Sequence, residues 1–308
     1  MTIVLVNKER EFSADSENSP VDKISTKDDP GSYDLEKVLD CYRVEYQKHN
    51  DGSTLKFKRS DNRTIQVNNP KKELVHFLRH QSDILERFSL SDDLMESIHN
   101  CLKSRDALLK VEELTLEVNC SEHLNMVVKH LHPDYLQDIR IFNVAEEDIP
   151  KLWNLKDLSE STQWEKAKTL HIEGICVNIP ILNLLHFSIV DVSVSVITTS
   201  DAIWLRNVRD FLQFIIVSKL VPFQTAIHSS KFHSFLIRFQ YFENEKKISD
   251  SFGQWFCQTE TLDGDRFVWW FSTKGSGHAV RVIFQQNRFF KFTRVKLKMA
   301  PDDILIIR

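Results

Sequence analysis

Glycine is scarce in this chain, with seven in 308 residues. That leaves little room for a loop that cradles a nucleotide, and neither a G-x-x-x-x-G-K-[ST] nor a G-x-S-x-G pattern occurs. Gly275-Ser276-Gly277 after Lys274 joins two strand-like segments, whereas a phosphate loop must open a helix; it reads as a hairpin turn. The five cysteines (Cys41, Cys101, Cys120, Cys176, Cys257) are few and widely spaced. None sits in a C-x-x-C pair, which excludes a zinc ribbon and a thioredoxin-type site. Long apolar runs are also missing. The longest apolar stretch, 179–196, contains Asn183, His186 and Asp191 and does not read as a membrane span. The short apolar patch at the start has no basic residue before it and is cut off by Lys8, Glu9 and Arg10, too soon for a signal peptide. A cytoplasmic or nuclear protein without a membrane is expected, and the sequons at Asn62 and Asn119 are then chance matches.

What is present is ordinary in bulk: 42% hydrophobic, 27% charged, net charge −4. That balance argues against a protein whose main task is to hold a phosphate backbone. The charge is unevenly distributed. Residues 1–40 carry five basic and ten acidic side chains (net −5), and residues 274–308 carry eight basic and two acidic ones (net +6). The basic end reads as the solvated face of a terminal sheet.

Along the middle of the chain, a short alternating strand is followed repeatedly by an amphipathic helix. The strand phases align on Phe88/Leu90, Leu114/Leu116, Ile139/Ile141, Leu170/Ile172 and Val192/Val194, in steps of 26, 25, 31 and 22 residues from Leu90. Such a period implies stacked supersecondary units, each too small to bury its own apolar face. Strand alternating with helix implies parallel strands joined by right-handed crossovers. The expected fold class is therefore α/β. A leucine-rich-repeat-like, curved, mainly parallel sheet carries helices on one face, between a small antiparallel N-terminal entry module and an antiparallel β C-terminal cap.

The expected organisation runs in four segments. Residues 1–34 form a disordered acidic leader; 13–34 hold almost nothing apolar. Residues 35–85 form the entry module, with strands at 41–46, 54–58 and 63–67, a hairpin at Asn50-Asp51-Gly52, and a helix opened by Pro70 with Leu74, Phe77, Leu78 and Leu85 at helical spacing. Residues 86–214 form the repeat. There Ser121 is placed to cap a helix bearing Leu124, Val127, Val128 and Leu131. Asp148 opens a short helix with Ile149, Leu152 and Trp153, Pro180 one with Ile181, Leu184 and Leu185, and Asp201 one with Trp204. Residues 215–308 form the cap, with strands at 235–242, 267–271, 279–284 and 289–297. Leu116, Ile141, Ile172, Val194, Trp164 and Trp204 are expected in the core.

The search for chemistry yields no catalytic, cofactor-binding or metal-binding residue. His76 and His80 have the i, i+4 spacing of a zinc pair, but Phe77 stands where a metalloprotease carries Glu and no third ligand is near; they read as exposed helix-face histidines. His130 and His132 end a helix before Pro133, where an imidazole favours the C-terminal dipole. Cys257 has no neighbour that would lower its pKa. Trp269-Trp270 with Arg281, Arg288, Lys291 and Arg294 raises nucleic-acid binding as an alternative function, although alternation sends one tryptophan inward.

Leu109-Lys-Val-Glu-Glu-Leu-Thr-Leu-Glu-Val-Asn119, a helix, and then His132-Pro-Asp-Tyr-Leu-Gln-Asp-Ile-Arg-Ile141 resemble the nematode F-box-associated FTH domain, a family of unknown function. Gln163-Trp-Glu-Lys-Ala-Lys-Thr-Leu170 resembles the family's strand lead-in, and residues 279–296 its closing pair of strands, so the resemblance runs over roughly 80–298. Many relatives carry an F-box, which docks on the Skp1 adaptor of a cullin–RING ubiquitin ligase. Residues 1–40 show no Pro-Leu opening, no three-helix pattern and no closing Val-Cys-x-x-Leu-Arg phrase. Either the F-box is absent or the gene model starts wrongly. The resemblance thus implies a non-enzymatic module that binds a protein target without cofactors, with Skp1 binding not expected. The contact surface is expected on the uncovered sheet face or the strand-end loops, including the loop after Asn143.

Overall fold

The computed structural model describes residues 2–7, 21–22, 41–49, 52–59, 64–66, 70–144, 151–198, 200–202, 233–242, 252, 256–261, 264–273, 277–286, 288–301 and 305–307. The chain divides into two units, Met1–Ala145 with Ser161–Lys166, and Glu146–Glu160 with Ala167–Arg308.

In the first unit, Ile3 to Val6 supply an apolar, β-branched start, and Thr2–Asn7 form strand β1. β2 is the pair Val21–Asp22. Part of the leader expected over 1–34 is therefore strand, and the physical reason is plain: Leu5 is 1% exposed and contributes to the core. β3 (Cys41–His49), β4 (Gly52–Arg59) and β5 (Thr64–Gln66) form the antiparallel entry module, with β2 parallel to β5. The hairpin residues 50 and 51 lie outside the described residues. β6 (Leu85–Ser91), β7 (Val111–Val118) and β8 (Asp138–Asn143) are parallel, in a register that aligns Phe88, Leu114 and Ile139, then Leu90, Leu116 and Ile141. All six side chains are at most 1% exposed. β1 lies between β3 and β6, antiparallel to both.

Three helices cover the apolar side. α1 (Pro70–His80) starts on proline and buries Leu74, Phe77 and Leu78. Leu85 is not part of it; it opens β6, where its backbone N–H donates to the Lys110 carbonyl at 2.9 Å. α2 (Met95–Lys103) buries Met95, Ile98, Cys101 and Leu102. α3 (Ser121–Val128) packs Leu124, Val127 and Val128 against β7. Ser121 is its first residue rather than its cap; Cys120 holds the cap position without a side-chain hydrogen bond. Arg105, in the loop after α2, reaches back to the end of α1, where its guanidinium donates to the carbonyls of Leu78, Arg79 and Gln81. Those are carbonyls a helix end leaves without partners. The short helix Thr162–Lys166 also belongs to this unit; Trp164 is 1% exposed, and the Gln163 amide donates to the Leu131 carbonyl at 2.9 Å.

The second unit continues the parallel pattern. β9 (Lys151–Trp153), β10 (Thr169–Val177), β11 (Ile189–Ile197) and β12 (Ser234–Phe242) lie side by side. Leu152 and Trp153 are strand residues rather than helical ones, because their backbone pairs with Cys176 and Val177 after β10 bulges. Gly174, inside that bulge, takes a φ of 73°, which favours glycine. The helix expected after Pro180 is a four-residue 3₁₀ turn, Ile181–Leu184. Residues 200–202 are helical, and the rest of the helix that would carry Trp204 falls outside the described residues.

β13 (Cys257–Thr261), β14 (Gly264–Thr273), β15 (His278–Gln285) and β16 (Phe289–Lys296) run antiparallel, and β17 (Leu305–Ile307) is parallel to β14. β12 was expected among the antiparallel strands, but it is parallel to β11 and antiparallel only to β16. Its alternation is as apolar as that of β11, so the parallel ladder takes one strand more before the direction changes. β16 thereby occupies the edge that β12 would leave open. The core of this unit is aromatic: Phe235, Phe239, Phe242, Trp269, Phe284, Phe290 and Phe292 are buried, with Phe284 and Phe290 stacked at 4.6 Å. The fold class is mixed α/β, largely parallel through the repeat, with antiparallel strands ahead of it and at the C-terminus.

Candidate functional site

The alternation that buries Phe88, Leu114 and Ile139 turns Arg87, Glu113 and Asp138 to the other side of the same strands, with Ser89, Thr115 and Arg140 one pleat on. On this polar face Glu113 lies between two arginines, 3.0 Å from Arg87 Nε and 3.6 Å from Arg140 Nη1. The second unit builds the same device from β10, β11 and β12. Asp191 contacts the Arg238 guanidinium on one side and His171 Nδ1 at 3.4 Å on the other, and His171 Nε2 is 3.3 Å from Glu173. In each unit one acid on the middle strand is bracketed by a base on either neighbour. Glu113 and Asp191 keep only 16% and 25% of their side-chain surface, while Arg87, Arg140 and Arg238 keep 44–45%. The acids are therefore the more enclosed members of each group, and the guanidinium groups the more exposed. The sequence carried the polar phase of these strands but not this pairing, which depends on register between residues twenty or more positions apart.

Further along the second unit, the paired tryptophans separate as alternation requires. Trp269 is 1% exposed, and Trp270 faces the other way with the Arg281 guanidinium 5.8 Å from its ring centre. Arg281 Nε and the hydroxyl of Thr293, its cross-strand neighbour, are buried without a hydrogen-bond partner among the described residues. Register places Lys291 on the same side as Arg281 and Arg294 on the opposite side, where its guanidinium donates to His278 Nδ1 at 3.3 Å. Arg288 lies outside the strands, exposed. The four basic residues singled out in the sequence therefore do not form one track.

A family model for the FTH domain matches residues 92–254, more than half of the chain. The chain belongs to the FTH domain family. No curated protein and no solved structure gives a match. The FTH segment begins just after β6, at Asp92, and contains α2, α3 and every strand from β7 to β12. Both bracketed acids lie inside it. The closing strands β15 and β16, and the Trp270–Arg281 contact, lie beyond the matched residues.

Among the described residues no group of three or more His, Cys, Asp or Glu could hold a metal ion. The His76 and His80 rings touch, with centres 4.7 Å apart. His80 is exposed, whereas His76 is half-buried. His130 behaves differently from a helix-end imidazole favoured by a dipole. Its Nε2 is buried without a partner, and burial, then His99, Lys129 and Lys103, hold its pKa below the ordinary value. Desolvation and positive neighbours outweigh the helix end. His99 donates from Nδ1 to the Met126 carbonyl at 2.9 Å, and His123 pairs with Asp92. Burial pushes the Cys101, Cys120 and Cys176 thiols up, away from the thiolate form that acts as a nucleophile, and Cys101 donates to the Val75 carbonyl at 3.2 Å. The segment 274–276 lies outside the described residues, but Ser272 and Ala279 on either side pair antiparallel, so it joins two strands. Residues 145–150, the loop after β8, are likewise outside them. Among the described residues no helix is long and apolar enough to cross a membrane.

Proposed function

We propose that this FTH chain is a non-enzymatic protein-interaction module whose contact surface is the polar strand face. The observation that supports this reading is the bracketed acid of each unit: Glu113 between Arg87 and Arg140, and Asp191 between His171 and Arg238. Exposed ion pairs contribute little to stability. Their use on a strand face is to hold guanidinium groups in a fixed array, which gives specificity and on-rate to a charged partner.

The test is proximity labelling with the full chain against Arg140→Glu and Arg238→Glu. The expected result is a set of proteins labelled by the parent and lost from both variants, with melting temperatures unchanged. Retention of the same set by both variants removes the polar face from the reading. As a further part of this proposal, residues 1–308 do not by themselves recruit Skp1. Purified chain and purified Skp1 should elute separately from gel filtration at micromolar concentration; co-elution overturns this part.

A second reading, single-stranded nucleic-acid binding, draws on Trp270 stacked with Arg281 and on Lys291 beside it. Two cations and one half-buried ring make a short footprint, and the protein-interaction reading is preferred.

A further inference from the structure

α1 and α2 pack side by side, and an open cleft of about 450 Å³ lies along them. It is lined by Lys71, Lys72, Val75, His76, Arg79 and Ser97. Helical spacing accounts for the grouping: Lys71, Val75 and Arg79 recur every four residues, and Lys72 and His76 form the adjacent row. The lining thus brings together three permanent cations, an imidazole and a hydroxyl. Among the described residues none of Lys71, Lys72, His76 or Arg79 has an ion-pair partner, and Arg79 is hydrogen-bonded only through its backbone. The nearest acid on α1, Glu73, is turned inward at 9% exposure.

We propose that this cleft is an oxyanion site that takes the dianionic group of a phosphate monoester, carried on a phosphorylated side chain of a partner or on a small phosphorylated molecule. A single carboxylate would leave most of the cationic charge unmatched, whereas a phosphate presents close to two negative charges and three acceptor oxygens. Arg79 can engage two oxygens through its fork, and the lysines act as point charges. Val75 provides an apolar contact for the carbon to which the phosphate is attached. A nucleic-acid backbone is a poorer fit, because it needs a longer row of cations than the three that line this cleft. The partner-borne source rests on the protein-interaction reading above; the site itself does not.

The experiment is an amide-shift NMR titration of the full isotope-labelled chain with inorganic phosphate, N-acetyl-phosphoserine methylamide and the corresponding blocked glutamate. Saturable shifts are expected at residues 71–79 and at Ser97 with both phosphates and not with glutamate. The double variant Lys71→Gln/Lys72→Gln changes two exposed side chains and should weaken binding about tenfold or more, with spectral dispersion retained. Ser97→Asp, which adds a carboxylate to the lining, should do the same. No saturable shift with either phosphate, equal response to glutamate, or unchanged affinity in both variants overturns the site. Tighter binding of blocked phosphoserine than of inorganic phosphate assigns the site to a partner polypeptide. Equal affinities support the site with a small-molecule ligand and leave the protein-interaction reading to its own labelling test.

Discussion

His130 has a nitrogen sealed away from water and positive groups around it: Lys129 beside it in the chain, and Lys103 and His99 on α2. Adding a proton there is disfavoured in the folded state. As pH falls from the ordinary imidazole value of 6.5, the unfolded chain takes up this proton first, so stability is present above that value and is lost as pH falls through the folded pKa. Urea midpoints should therefore decrease from pH 7.5 to pH 5.5, and His130→Gln should flatten that decrease. An NMR titration placing His130 at or above 6.5 would contradict the account. Arg105 is a second case where a single side chain serves a whole element. Three carbonyls at the end of α1 rely on its guanidinium. Arg105→Ala should destabilise by about 1–3 kcal/mol in urea unfolding, and Arg105→Lys should recover only part of the loss, because an ammonium lacks the fork that spans several acceptors.

Among the elements, the β6–β7–β8 ladder places Leu116 at 0% exposure between Leu90 and Ile141. Leu116→Ala should cost about 2–5 kcal/mol, read from chemical denaturation; a loss under about 1 kcal/mol would mean that the site closes around the missing carbons. This ladder was legible in the sequence because alternation with a recurring step reports two things together, which face is buried and that neighbours stack. Ile141, Ile172, Val194 and Trp164 were placed in the core on that signal and are buried. The failures share a different cause. β1, β9 and β12 take their structure from partners distant in sequence: Leu5 aligns with Val44 and Phe88, Leu152 with Cys176, and Phe235 with both Val190 and Phe292. A local pattern carries no record of which strand will lie alongside. The cleft lining of α1 was visible as helical spacing, yet that spacing could not show that Ser97 of α2 would form the other wall.

For the molecule as a whole, net charge −4 and the separation of its basic residues bear on what it can hold. Arg281 and Lys291 share a face, while Arg294 lies on the other. Fluorescence anisotropy with a single-stranded oligonucleotide at 150 mM salt should find no binding tighter than about 10 µM, since non-specific affinities at physiological salt rarely exceed that range without a longer row of phosphate contacts. A tighter complex whose affinity falls steeply with salt would favour the second reading. The FTH match places both bracketed acids within the part of the chain that defines the family, and leaves the aromatic, basic end strands outside it.

β1 also sets a schedule for biosynthesis. It is synthesised before either of its partners, yet it takes its place between β3 and β6, and the second of these is complete only at Ser91. At roughly 5–20 residues per second, the apolar run Ile3 to Val6 waits on the order of 4–17 seconds for that partner, a wait in which a holding chaperone would find an apolar binding site on the nascent chain.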